Sequence, residues 1–171
     1  MNSVPRSDPL LTVTQLLLRI GIALLALGIV LAAGAAIALV AIPDQQLLPR
    51  LSAGNTIWLV LAGAVLVAVM MTLYLFFLRH LSRIVATVGT GDPFQPENAE
   101  RLSKMGWLTV ALQLCMFVLA PLVSKIAERI GEPGGGLDLT FDGLLLALVL
   151  FVLARVFRHG AAMRDDLQGT V

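Results

Sequence analysis

Four long apolar runs dominate the hydrophobic pattern, at residues 20–42, 57–78, 106–123 and 141–157. A helix needs about 20 mostly apolar residues to cross the hydrocarbon of a bilayer. None of the runs carries Lys, Arg, Asp or Glu at mid-depth; Asp142 and Arg155 stand near the ends of the fourth. Backbone groups in lipid must be satisfied within the segment, which favours helices. No segment alternates with the period of two that a barrel strand requires. The pattern therefore predicts an all-α integral membrane four-helix bundle, one domain over residues 1–171.

The helices are expected to outrun the apolar runs. Asp8-Pro9 reads as a cap followed by proline at the first helical position, so the first helix starts well before residue 20. Pro43 and Asp44 end it. Asn55 or Thr56 caps the second helix. Leu81, Ile84, Val85 and Val88 keep helical spacing beyond residue 78, so this helix continues as an amphipathic extension until Gly89 and Gly91. Pro96 suits the start of the third, with Glu97 and Glu100 favouring its dipole. Glu97–Arg101 and Glu100–Lys104 are i, i+4 pairs in the favoured order. Trp107 sits where indole prefers the interface. Val123, Ile126, Ala127 and Ile130 carry the third helix past Pro121, which is expected to bend it. Gly131 to Gly136 forms a glycine-rich connection. The fourth helix leaves the apolar run through Val156, Phe157, Gly160, Met163 and Leu167 and stops at Gly169. These extensions make a polar collar at one end of the bundle.

Composition agrees with a lipid solvent. The chain is 58% hydrophobic and 13% charged, whereas soluble domains are about a quarter charged. The first run exceeds the roughly 7–15 residues of a secretory core, so it reads as a span rather than a signal peptide. Net charge is +1, so no field points to direct nucleic-acid binding. Its distribution gives orientation. Nine Lys or Arg flank the ends that share the collar and three flank the other ends. The positive-inside rule puts the collar and both termini in the cytoplasm.

Candidate chemistry is sparse. Cys115 has no partner for an internal disulfide. Gln113 reads as an interhelical hydrogen-bonding residue and Cys115 as a small buried one. Gly28, Ala32 and Ala36 form a small-residue series for helix contact, within the bundle or between copies in a homo-oligomer. His80 and His159 share the collar end, but no short ligand spacing accompanies them, so no metal and no cofactor is expected. No nucleophile motif or phosphate loop appears, so the chain does not read as an enzyme.

Two collar segments are unusually patterned. The first carries Asp92, Pro93, Phe94, Glu97, Asn98, Arg101 and Leu102, leading to Gly106 and Trp107. The second carries Phe157, Arg158, Gly160, Met163, Arg164, Asp166, Thr170 and Val171. On these residues the chain resembles a bacterial membrane-protein family catalogued as domain of unknown function 2975, over nearly its whole length. Gln95-Pro96 departs from the capping hydroxyl frequent in that family. The resemblance implies the four-span fold and membrane location, and no activity. It also implies a neighbouring helix-turn-helix regulator as a partner.

From the residues themselves, Asp92, Glu97 and Glu100 are expected to pair with Arg158 and Arg164 across the collar. Phe94 is expected to pack on Phe157 or Met163, with Gly160 allowing the approach. The candidate partner contacts are Asp92, Phe94, Glu97, Asn98, Glu100, Arg101, Phe157, Arg158, Gly160, Arg164 and Asp166. The expected function is regulatory or scaffolding, through a cytoplasmic collar that binds a protein. A small oligomeric transporter or channel is the alternative, and needs a polar route past Gln113 and Thr72. A lipid-directed membrane enzyme would need convergent ionisable groups, for which Asp92, Glu97, His80 and His159 are the candidates.

Overall fold

The computed structural model describes residues 9–41, 56–89, 94–130 and 137–168. Four helices account for nearly all of them: α1 Pro9–Ala41, α2 Thr56–Gly89, α3 Pro96–Ile130 and α4 Asp142–Gln168. Each is long and apolar enough to cross a membrane. Helix starts at Pro9, Thr56 and Pro96 match the capping signals, and α2 runs on to Gly89. α3 continues through Pro121 to Ile130. The expected stops at Pro43, Gly91 and Gly169, the Gly134–Gly136 connection and the Thr170-Val171 tail lie outside the described residues.

The helices pack in chain order, α1 on α2, α2 on α3 and α3 on α4. No other pair approaches closely among the described residues. Every pair is antiparallel, because contacts ascend one helix as they descend the next. Gly21 faces Leu78 and Gly28 faces Met71, with Cβ positions about 3.5 Å from those side chains. Thr56 meets Arg129, Gly63 meets Leu122, and Thr87 meets Asn98. Phe117 meets Phe141, Gly106 faces Phe151, and Phe94 lies over Gly160. Gly21 and Gly28 therefore serve contact within the chain. The side chains of Ala32 and Ala36 lie outside the described residues.

Much of the apolar surface is on the outside. Leu16, Leu17, Leu24, Leu27, Val30 and Leu31 of α1 are all exposed, and so is a long row on α4. A soluble protein of this size does not expose so large a contiguous apolar face. The interior holds two clusters. Met70, Leu112 and Leu119 join α2 to α3. Ile84, Leu102, Met105, Leu150 and Ala154 join α2, α3 and α4 nearer the collar.

The antiparallel register brings the charged ends together. Arg19, His80, Lys104 and Arg155 fall at nearly one height. Trp58 and Trp107 are both about two-thirds exposed, at 68% and 67%. In this register Trp58 stands near Ala127, so some twenty residues of α3, or about 30 Å, separate the two indoles along the bundle. That is the thickness of a hydrocarbon core, with an indole at each boundary.

One element sits differently from its expected level. The apolar runs of α1, α2 and α3 lie side by side, but α4 begins abreast of Gln113 and Phe117. Among the described residues the far end of α3 consequently packs on α2 alone, through Gly63 with Leu122 and Ile126 and through Thr56 with Arg129. Asp142, expected beside headgroups, lies between the heights of the two tryptophans. Run lengths alone do not specify the relative height of two helices, which is set by packing.

Candidate functional site

The collar is organised around a buried amide. Pro96 starts α3 with φ already suited to a helix, and the Asn98 amide donates to the Gln95 carbonyl at 2.9 Å. This turn drives the Asn98 side chain into the gap beneath the end of α2, where it is fully buried. Its Nδ2 donates to Thr87 Oγ1 at 2.7 Å, and its Oδ1 accepts from Arg101 Nη1 at 2.7 Å. Thr87 Oγ1 in turn donates to the Ile84 carbonyl at 2.7 Å. A buried amide is costly unless bonded, and here both its ends are used.

This network changes the expected charge pairing. Arg101 bonds Asn98 rather than Glu97, and Glu97 is exposed. Glu100 bridges to Lys104 at 2.8 Å within its own helix. The hydrogen bond and charge of Lys104 hold the Glu100 carboxyl below its ordinary range. Just before α3, Phe94 makes the expected aromatic contact with α4. Phe94 packs on Phe157 at 5.3 Å between centroids and lies over Gly160, where a Cβ would come within 2.8 Å of its ring. Arg158 and Arg164 lie on the exposed face of α4. Asp92 and the side chain of Asp166 lie outside the described residues.

His80 stands at the same height, on the collar side of Trp107. Burial, then the charges of Lys104, Arg83 and Arg101, lower its pKa from the ordinary 6.5. Its neutral form is favoured, and Arg83, Arg101 and Lys104 carry the fixed positive charge around it. Among the described residues no group of three His, Cys, Asp or Glu side chains could hold a metal.

Among the recesses of the described residues, two flank α4 at the collar and another lies deeper in the bundle. A groove of about 610 Å³ is lined by Phe94, Val152, Arg155, Val156, His159, Gly160 and Met163. A cleft of about 380 Å³ lies on the other flank of α4, against Ser103, Phe151, Ala154, Arg155, Arg158 and His159. The third, of about 480 Å³, opens where α4 starts low against α3. Tyr74, Thr109, Gln113, Thr140, Asp142 and Gly143 contribute to its wall. Gln113 is buried and donates through Nε2 to the Thr140 carbonyl at 2.5 Å, closing one side. Thr140, Asp142 and Gly143 are the site residues that sequence reading missed. The signal was the Asp-Gly pair at the head of an apolar run, opposite a lone glutamine.

Four apolar helices, lipid-facing aliphatic rows and flanking indoles define an all-helical membrane protein. Within that class the chain belongs to the family described as Protein of unknown function (DUF2975), which it matches over residues 46–171. The match takes in α2, α3, α4 and both patterned collar segments, and leaves out α1. No curated protein and no solved structure matches the chain.

Proposed function

We propose that this is a regulatory or scaffolding protein of a bacterial cytoplasmic membrane, with both termini and the collar in the cytoplasm. Its spans are 20–42, 57–78 and 106–123, with 141–157 set lower. The collar docks a cytoplasmic protein. The observation that carries this reading is the groove along α4. Phe94 and Met163 are exposed there, 43% and 63%, beside Arg155 and His159. An open apolar channel edged by the Arg155 guanidinium fits the amphipathic helix of a partner that carries acidic residues. A helix-turn-helix regulator, the partner implied by the family resemblance, is the first protein to test.

Met163 touches the groove and leaves the buried frame alone, so Met163→Asp separates docking from folding. Co-purification of a neighbouring regulator with this variant is expected to fall about tenfold or more, as for loss of a central apolar anchor, with membrane insertion unchanged. Equal recovery with both proteins counts against docking.

A small oligomeric transporter or channel is the second reading. The largely apolar cavity beside Gln113 favours it through one feature, since Asp142 on its wall lies between the two tryptophan levels and ionisable groups there mark pathways. Two features support the first reading instead. Thr72 bonds back to the Ala68 carbonyl at 2.8 Å on an exposed face, away from the cavity. The next layer toward the collar is filled by Ile84, Leu102, Met105, Leu150 and Ala154.

A further inference from the structure

The cleft between α3 and α4 is built differently from the groove, and it calls for a different ligand. Its walls present a hydroxyl from Ser103, guanidinium groups from Arg155 and Arg158, and the His159 imidazole, over a floor of Phe151 and Ala154. Among the described residues no carboxylate reaches either arginine within salt-bridge distance. The nearest acid on α3, Glu100, lies one turn before Ser103 and is engaged by Lys104. Two exposed arginines, one turn apart on α4, line this recess and give it a local positive charge that suits an anion. Guanidinium pairs with phosphate oxygens through two parallel bonds, and a serine hydroxyl adds a third donor.

Depth selects the source of the anion. Trp107 is exposed and meets Phe151, a wall of the cleft, edge-on at 5.5 Å between centroids. Indole marks the boundary between hydrocarbon and headgroups. Arg155 and Arg158 lie one to two turns farther from the hydrocarbon than Phe151, the zone of lipid phosphates. In the other direction α4 exposes Leu145, Leu148, Val149 and Val152, a track for an acyl chain. Basic recesses between helices on the cytoplasmic side hold anionic headgroups in this manner.

We propose that Ser103, Arg155 and Arg158 bind the phosphate of an anionic phospholipid, whose acyl chain lies along α4. The site does not rest on protein docking. Ser103 and Arg158 line the cleft and not the groove, and Met163 and Phe94 the reverse.

The test uses the purified full-length protein in a neutral detergent, with thermal unfolding and native mass spectrometry as readouts. Phosphatidylglycerol is expected to bind and raise the unfolding midpoint, whereas phosphatidylcholine and inorganic phosphate are not. Arg158→Gln is expected to weaken phosphatidylglycerol binding about tenfold, as for loss of one charge-assisted contact. Arg158 is exposed, so the lipid-free midpoint should stay unchanged. Arg79→Gln, an exposed arginine of α2 about level with Phe151, is expected to stay within about twofold, because it lies outside the cleft. Three outcomes overturn the proposal: equal weakening by Arg79→Gln, equal binding of phosphatidylcholine, or an equal shift with inorganic phosphate.

Discussion

Asn98→Ala is expected to destabilise the protein by about 3 kcal/mol, the loss of one neutral and one charged hydrogen bond at a buried site. The side chain it removes is fully buried and serves Thr87 on α2 and Arg101 on α3 at once. Thr87 keeps its bond to the Ile84 carbonyl, but Arg101 loses its acceptor. Asn98→Asp isolates the two halves. A carboxylate still accepts from Arg101, but it cannot donate to Thr87 Oγ1 as the amide does, and it gains the Thr87 proton only at the expense of the Ile84 bond. Unfolding in mixed micelles with increasing dodecyl sulfate measures both variants. The account requires alanine to be the worse of the two, with an effect centred on the α2–α3 turn. Wild-type stability in Asn98→Ala would show that this amide is not the collar's keystone.

The second large effect is expected at Gly106, which faces the Phe151 ring where α3 packs on α4. A Cβ there would stand 2.8–3.0 Å from three atoms of the Phe151 ring. That ring is itself braced edge-on by Trp107. In lipid, helix association depends on close packing rather than on expulsion of water, so a bulky side chain at this point separates the pair. Gly106→Val should cost about 3 kcal/mol, the upper range for overpacking. Gly28 provides the contrast on α1. Its Cβ would sit at an ordinary 3.5–3.6 Å from the flexible end of Met71. Gly28→Ala should therefore be neutral, or gain up to about 1 kcal/mol from helix propensity. If both glycines respond alike in the same unfolding assay, close approach is not what distinguishes them.

These two sites differ in how far the sequence announces them. The helices themselves were legible because apolar runs and their amphipathic continuations report directly on a lipid or protein environment. Leu81, Ile84, Val85 and Val88 carried α2 past its span, and Pro96 marked the restart. The stacking of Phe94 on Phe157 over Gly160 was legible too, since two aromatics and a glycine at facing helix ends have few other ways to pack. The partners of Asn98 were not. Thr87 is eleven residues away, and no periodicity links a buried amide to its acceptor. Charge spacing pointed to a Glu97–Arg101 pair. An exposed pair of that kind is worth only tenths of a kcal/mol, and a buried amide oxygen within reach of Arg101 outweighs it. The height of α4 was equally hidden. It follows from Phe151 fitting against Gly106 and Gln113 reaching Thr140, contacts that composition cannot order in space. That offset is also what puts Asp142 on the wall of the cavity beside Gln113.

The account depends on a bundle that spans the membrane with its basic belt on the cytoplasmic side. Single cysteines test this most directly, in a Cys115→Ser background labelled on intact cells with a membrane-impermeant maleimide. Glu97, Arg164 and Asp138 are all exposed, and each can be replaced singly. The account predicts that Asp138→Cys is labelled from outside, while Glu97→Cys and Arg164→Cys react only after the membrane is opened. Labelling of Glu97→Cys from outside, or reaction of Glu97→Cys and Arg164→Cys from opposite sides, would contradict it.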